Sequence, residues 1–236
     1  MWMIATYSAT SLFSLKPAAA TASGGQTLLL PTPFAVKMAL VDAACRHDGL
    51  EVARSAWPWI NRLTVAVQPP RYIVVNNTFI KVLKPRRNPA APGSQDEGYF
   101  GRTITYREYA YYSDDFVLAL WMQDTDPDAL TRWLAGINYL GKRGSFVQLR
   151  DVPYQSDALP EGFVIINGDI GQPALDSLMT QLDDTTERTT FDHINIYSGK
   201  ALKNYRTLHH TVLPYRLAKS SRGYSYYART GRTEGS

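Results

Sequence analysis

The chain has 236 residues, 44% of them hydrophobic and 12% aromatic, enough apolar material for a packed core in one large domain or two small ones. Its single cysteine, Cys45, excludes an intramolecular disulfide and a cysteine-based zinc site, and fits a reducing, cytoplasmic setting. The net charge is only +4; Met1-Trp2-Met3-Ile4 lacks the make-up of a signal peptide, and no apolar run approaches the roughly 20 residues that span a bilayer, so a protein without membrane segments is expected.

Residues 1–9 read as a strand. A stretch rich in Pro, Ala, Ser and Gly, from Lys16 to Gly25, leads to Thr27-Leu28-Leu29-Leu30-Pro31-Thr32-Pro33 and then to a helix whose first turn suits Pro33. Val36, Leu40, Ala43 and His47 recur at helical spacing, and Met38 and Val41 widen the apolar surface, which predicts a well-covered core helix. Leu63, Val65 and Val67 alternate with Thr64, Ala66 and Gln68 as a half-buried strand that Pro69-Pro70 ends, and a further strand begins at Tyr72. Residues 79–107 are basic and interrupted by Pro85, Pro89, Pro92, Gly93 and Gly98, the pattern of a long hairpin. Phe116 to Trp121 is an apolar strand. Asp126-Pro127 caps a helix with Leu130, Trp133, Leu134 and Ile137 on one face, and Ser145 to Leu149 closes the unit.

The order is strand, helix, strand, inserted hairpin, strand, helix, strand, which is the β-α-β-β-α-β order of an α+β, ferredoxin-like (RRM-like) core. Residues 1–150 are expected to form this core, with the hairpin at about 72–107, and residues 151–236 a smaller β-rich C-terminal lobe. Within that lobe Pro173, Leu175, Leu178, Met179 and Leu182 predict a short amphipathic helix, with Asp183-Asp184 at its solvated end.

Charge is uneven along the chain. Residues 151–192 carry 9 acidic side chains and 1 basic, whereas residues 193–236 carry 8 basic and 1 acidic together with Tyr197, Tyr205, Tyr215, Tyr224, Tyr226 and Tyr227. Aromatics interleaved with Lys and Arg suit base stacking and phosphate neutralisation; half-buried tyrosines in a C-terminal hairpin are the plainer alternative. Elsewhere, Gly141-Lys142-Arg143-Gly144 puts two cations in a turn whose glycines let a phosphate approach the main chain, unless it is a solvated hairpin turn. Lys81, Lys84, Arg86, Arg87 and Arg102 would track a nucleic-acid backbone or form a solvated face. Lys16 and Lys37 flank the first loop and helix, Lys37 beside first-turn donors that favour anions. Arg107 adjoins Glu108 and is open to an ion pair with it, and Tyr109, Tyr111 and Tyr112 either stack on bases or pack.

The segment from Thr103 to Leu149, with Tyr106-Arg107-Glu108-Tyr109, Asp114-Asp115-Phe116 and Tyr139-Leu140-Gly141-Lys142-Arg143, resembles the CRISPR-associated Cas-five family. Lys16-Pro17, Thr27 to Pro33 and the small-residue helix from Phe34 to Ala44 resemble that family's first strand, loop and helix; the C-terminal region shows no match. The resemblance implies a member of the repeat-associated mysterious protein superfamily: a non-catalytic subunit of a type I, Cascade-like complex that caps the 5′ handle of the crRNA. It also implies contact with the backbone and large subunits and, through the complex, with target DNA, and makes the hairpin a thumb. No cofactor and no metal are expected.

Two other readings stand beside it. One branch of the family cleaves precursor crRNA without a metal, which needs a general base and acid; only His47, His193, His209 and His210 could serve, and His209-His210 would point to opposite faces of a strand. The third reading is a protein-binding scaffold that meets basic partners through its acidic block.

Overall fold

The computed structural model describes residues 1–17, 25–168 and 176–230. β1 (Trp2–Ala9) leads to α1 (Pro33–His47), which begins where its capping chemistry dictates: the Thr32 hydroxyl accepts from the Ala35 N–H at 3.1 Å and Pro33 takes the first helical position. Gly49, at φ +90°, turns the chain into α2 (Leu50–Arg62). The sequence reading contains no such helix because Pro58 interrupts it. The helix tolerates that proline, and its buried residues Ala53, Ala56, Trp57, Ile60 and Asn61 still recur at helical spacing. β2 (Thr64–Gln68), β3 (Tyr72–Ala90), β4 (Gly98–Tyr112) and β5 (Phe116–Trp121) follow. α3 (Pro127–Gly136) is capped by Asp126, which accepts from the N–H groups of Asp128 and Ala129. Then come β6 (Val147–Leu149), β7 (Tyr154–Ser156), β8 (Val164–Ile165), β9 (Leu178–Thr185), α4 (Phe191–Ile194), β10 (Arg206–Leu213), β11 (Tyr215–Ser220) and β12 (Tyr224–Arg229).

The result is a mixed α and β fold in which all the strand pairs are antiparallel. The first sheet runs β6-β1-β5-β2-β8, with β7 paired to the other end of β1. Alternation along β1 sends Met3, Ala5 and Tyr7 into the main core and Trp2 and Ile4 into a second, smaller cluster with Ala66 and Ala119, so the sheet is buried on both faces. α1 packs on α2, α3 and β9. The second sheet runs β11-β12-β3-β4, and among the described residues β9 pairs with β10 alone. Strands from beyond residue 150 therefore enter both larger sheets. Among the described residues no helix is long and apolar enough to cross a membrane.

Two local expectations are corrected. Residues 178–182, predicted as helix, form strand β9, paired along its length with β10 from Leu178↔Leu213 to Thr185↔Arg206. Leu178 and Leu182 are four apart, a spacing that puts two residues on one face in either period. Pro173 and Leu175 lie outside the described residues. Asp183 and Asp184, predicted at a solvated helix end, are instead 3% and 2% exposed, and each is paired with a cation.

Candidate nucleic-acid interface

β3 and β4 pair continuously from Ile73↔Tyr112 to Pro85↔Phe100, but β12 accompanies β3 only as far as Asn76. Beyond that point the hairpin is a free two-stranded ribbon with residues 91–97 at its tip. Opposed residues share a face, so Phe79, Lys81 and Leu83 line one side together with Arg102, Ile104 and Tyr106. Phe79, Leu83 and Ile104 are each more than 60% exposed, so the ribbon carries bare apolar surface among its cations. Arg86 and Arg102 both pair with Asp96, whereas no carboxylate among the described residues pairs with Lys81, Lys84 or Arg87.

The Gly141–Gly144 turn requires its glycines: φ is +71° at Gly141 and +103° at Gly144, and a Cβ on Gly141 would press on Leu15 at 3.1 Å. The turn is tied to the first loop, since the Ser11 hydroxyl donates to the Gly144 carbonyl and accepts from the Phe146 N–H. Leu15 in turn accepts from the Leu28 N–H, the Thr27 N–H donates to Glu108 Oε2 at 2.9 Å, and the Glu108 N–H donates to the Gly25 carbonyl. Phe13 bridges to Ala110. Lys142 and Arg143, exposed on the turn, and Lys16, exposed on the loop, thus belong to one surface beside the ribbon base, whereas Arg107, in step with Tyr109 and Tyr111 along β4, lies on the opposite face of the strand from Glu108. Glu108 is occupied by Thr27 and by the Tyr106 hydroxyl, whose pKa burial and that carboxylate push up to about 12. No carboxylate among the described residues pairs with Arg107.

Lys37 does not belong to this surface. It is 2% exposed, and its ammonium donates to Asp184 Oδ2 at 2.8 Å and to the Asn61 carbonyl at 2.7 Å. Burial lowers its pKa, against the opposing pull of Asp184. The signal was in the helix: Pro33, Val36, Lys37, Leu40 and Ala44 share one buried stripe. Tyr112 is likewise a packing residue, stacked on Phe13 at 4.7 Å and donating to the Leu29 carbonyl. Tyr109 and Tyr111 instead occupy the outer face of the second sheet, where β12 adds Tyr224 and Tyr226 and β11 adds Arg216 and Lys219. Arg216 and Lys219 are not among the candidates read from the sequence: strict alternation would put them on opposite faces, and the bulge between Leu217 and Lys219 brings both to this one.

His209 and His210 are placed as their adjacency dictates. His209 is half-buried with Nε2 3.8 Å from Asp184, and His210 is exposed beside Gln181. Among the described residues no three His, Cys, Asp or Glu side chains converge on a metal-sized site.

No protein-family model matches the sequence. The chain is 23% identical over 225 residues to the CRISPR-associated protein Cas5 of Archaeoglobus fulgidus, covering 94% of this chain and 96% of that protein. Among solved structures it is similar to a CRISPR protein from Archaeoglobus fulgidus (TM-score 0.44, 10% identity, 98% of this chain and 92% of that one). It is also similar to a chain of a CRISPR RNA-guided surveillance complex (TM-score 0.49, 13% identity, 98% and 90%). The resemblance to the Cas-five family read from the first 150 residues is borne out, and it extends through the C-terminal region, where the sequence reading finds no match.

Proposed function

We propose that this Cas5-like chain is a non-catalytic, crRNA-binding subunit of a type I, Cascade-like CRISPR interference complex. In this reading a ferredoxin-like core holds the 5′ handle of the guide RNA, and the ribbon is the thumb that also touches the adjacent backbone subunit. The observation that carries the reading is similarity to a Cas5 protein along nearly the whole of both chains. The order β6-β1-β5-β2, with helical connections after β1 and β5, supports the ferredoxin-like assignment.

The chemistry fits a capping role. A handle needs phosphate contacts to fix its register and donors that can come close to its backbone. Lys142 and Arg143 on a glycine turn, with Lys16 on the adjoining loop, supply the charges; Lys81, Lys84 and Arg87 extend them along the ribbon. General acid–base cleavage of RNA is most often a task for histidine. The loop, turn and ribbon contain none, which favours holding the RNA over cutting it.

The test is binding of the purified chain to 5′-labelled RNAs carrying the repeat-derived handle or a scrambled sequence, with a chelator present, read on native and denaturing gels. Handle-selective, salt-sensitive binding of intact RNA is expected, and Lys142→Glu with Arg143→Glu should weaken it roughly 10- to 100-fold, given the strength of hydrogen bonds to charged groups. Cleavage would replace this reading with a nuclease, and equal weak binding of both RNAs would overturn both.

A further inference from the structure

We propose that the outer face of the second sheet is a stacking surface for the bases of single-stranded nucleic acid, separate from the glycine turn and the ribbon. It rests on the reading above only in that the chain meets a single-stranded nucleic acid, and it does not depend on which end of an RNA the first surface holds.

The register decides which side chains share this face. Tyr226 lies opposite Val74, which lies opposite Tyr111; Tyr224 lies opposite Asn76, which lies opposite Tyr109; and Tyr72 completes the row. Five tyrosines from three strands therefore share this face, Tyr226 and Tyr224 about 10 Å from Tyr111 and Tyr109 across β3, and the two of each pair about 7 Å apart along their strand. Tyr72 and Tyr226 already stack, with ring centroids 5.6 Å apart and planes 23° from parallel. The other face of the same strands is core: Ile73, Val75, Ala110, Tyr112 and Tyr215 are all buried there. The division is not a gradient of burial, because Tyr111 is 51% exposed while Tyr112, its chain neighbour, is 6%.

Charge completes the case. Arg107, Arg216 and Lys219 fall on the tyrosine side. The only carboxylate in the four strands, Glu108, is on the other face, and Asp114 just beyond β4 is held by Arg71 at 2.8 Å. A face with cations, rings and no acid is complementary to a polyanion carrying bases. Over the four-stranded part its large side chains are tyrosines, flat rings on which bases can stack. Aromatics on the open face of a four-stranded antiparallel sheet are a general device by which proteins stack two or three bases.

The measurement uses the purified full chain and fluorescence anisotropy. The probes are an oligouridylate of about eight nucleotides, within the usual site size for single strands, and an abasic phosphodiester of equal length. Tyr111→Ala with Tyr224→Ala should lower affinity for the oligouridylate roughly tenfold or more while leaving the abasic strand unchanged. The Tyr111→Phe, Tyr224→Phe pair, which keeps the rings, should bind as the native chain does. Unchanged oligouridylate binding, equal loss for both probes, or failure of the phenylalanine pair would each overturn the proposal. So would unchanged oligouridylate binding accompanied by loss of the alanine variant from the assembled complex, which would make the face a protein interface. Tyrosine-dependent oligouridylate binding without handle selectivity would sink the handle reading alone, and handle selectivity indifferent to the tyrosines would sink this one alone.

Discussion

Lys37 sits where water cannot share its charge, so its partners are what keep it there. Asp184 and the Asn61 carbonyl accept hydrogen bonds from its ammonium, while Asp184 also accepts from Asn167 Nδ2 at 3.0 Å, a network that ties α1 and α2 to β9. Removing one member leaves the other charge buried and alone, which costs more than the pair contributes net. Lys37→Met should therefore lower unfolding free energy by about 3–5 kcal/mol, measured by urea denaturation, and Lys37→Met with Asp184→Leu should recover much of that loss. Glutamate reversal of surface Lys16 should stay within about 0.5 kcal/mol. The contrast shows what was legible at this scale. Lysine in a basic-looking first turn reads as a phosphate ligand, and only the position of Lys37 on the stripe of Val36 and Leu40 distinguishes it. Its partner could not be foreseen, since Asp184 lies 147 residues away on a segment whose four-residue apolar spacing suits helix and strand alike.

At the scale of elements, the hairpin was readable because prolines and glycines bracket β-type runs, and β1, β2, β5, α1 and α3 were readable because period and caps agree. α2 was hidden by Pro58. What sequence did not carry was pairing: nothing in Tyr224–Arg229 announces that this strand lies between β11 and β3, and the tyrosine face exists only through that pairing. Among the described residues the ribbon past Asn77 pairs its backbone only with its other strand, and Phe79, Leu83 and Ile104 face water, so little of its apolar surface is buried against the body. Replacing residues 81–104 with a tight Asn-Gly turn, which joins the opposed pair Ile80 and Thr105, should shift Tm by no more than a few degrees, measured by circular dichroism, while sharply weakening handle binding. A large loss of Tm would mean that the ribbon stabilises the core.

The molecule as a whole interleaves its two ends. β7 and β8 complete the first sheet and β11 and β12 the second, so the similarity to Cas5 over 94% of the chain covers one connected structure. A chain cut after residue 221 should lose β12, leave the edge of β3 open from Tyr72 to Asn76, and aggregate on size-exclusion chromatography; a monodisperse product would show that β12 is dispensable. The same placement sets an order of manufacture. At roughly 5–20 residues per second of synthesis, the β3–β4 hairpin emerges several seconds before the strand that closes its edge. Until then neither the tyrosine row nor a sealed sheet exists. An unfinished chain thus has no second face to offer a nucleic acid, and the edge of β3 stays unpaired until the last strand is made.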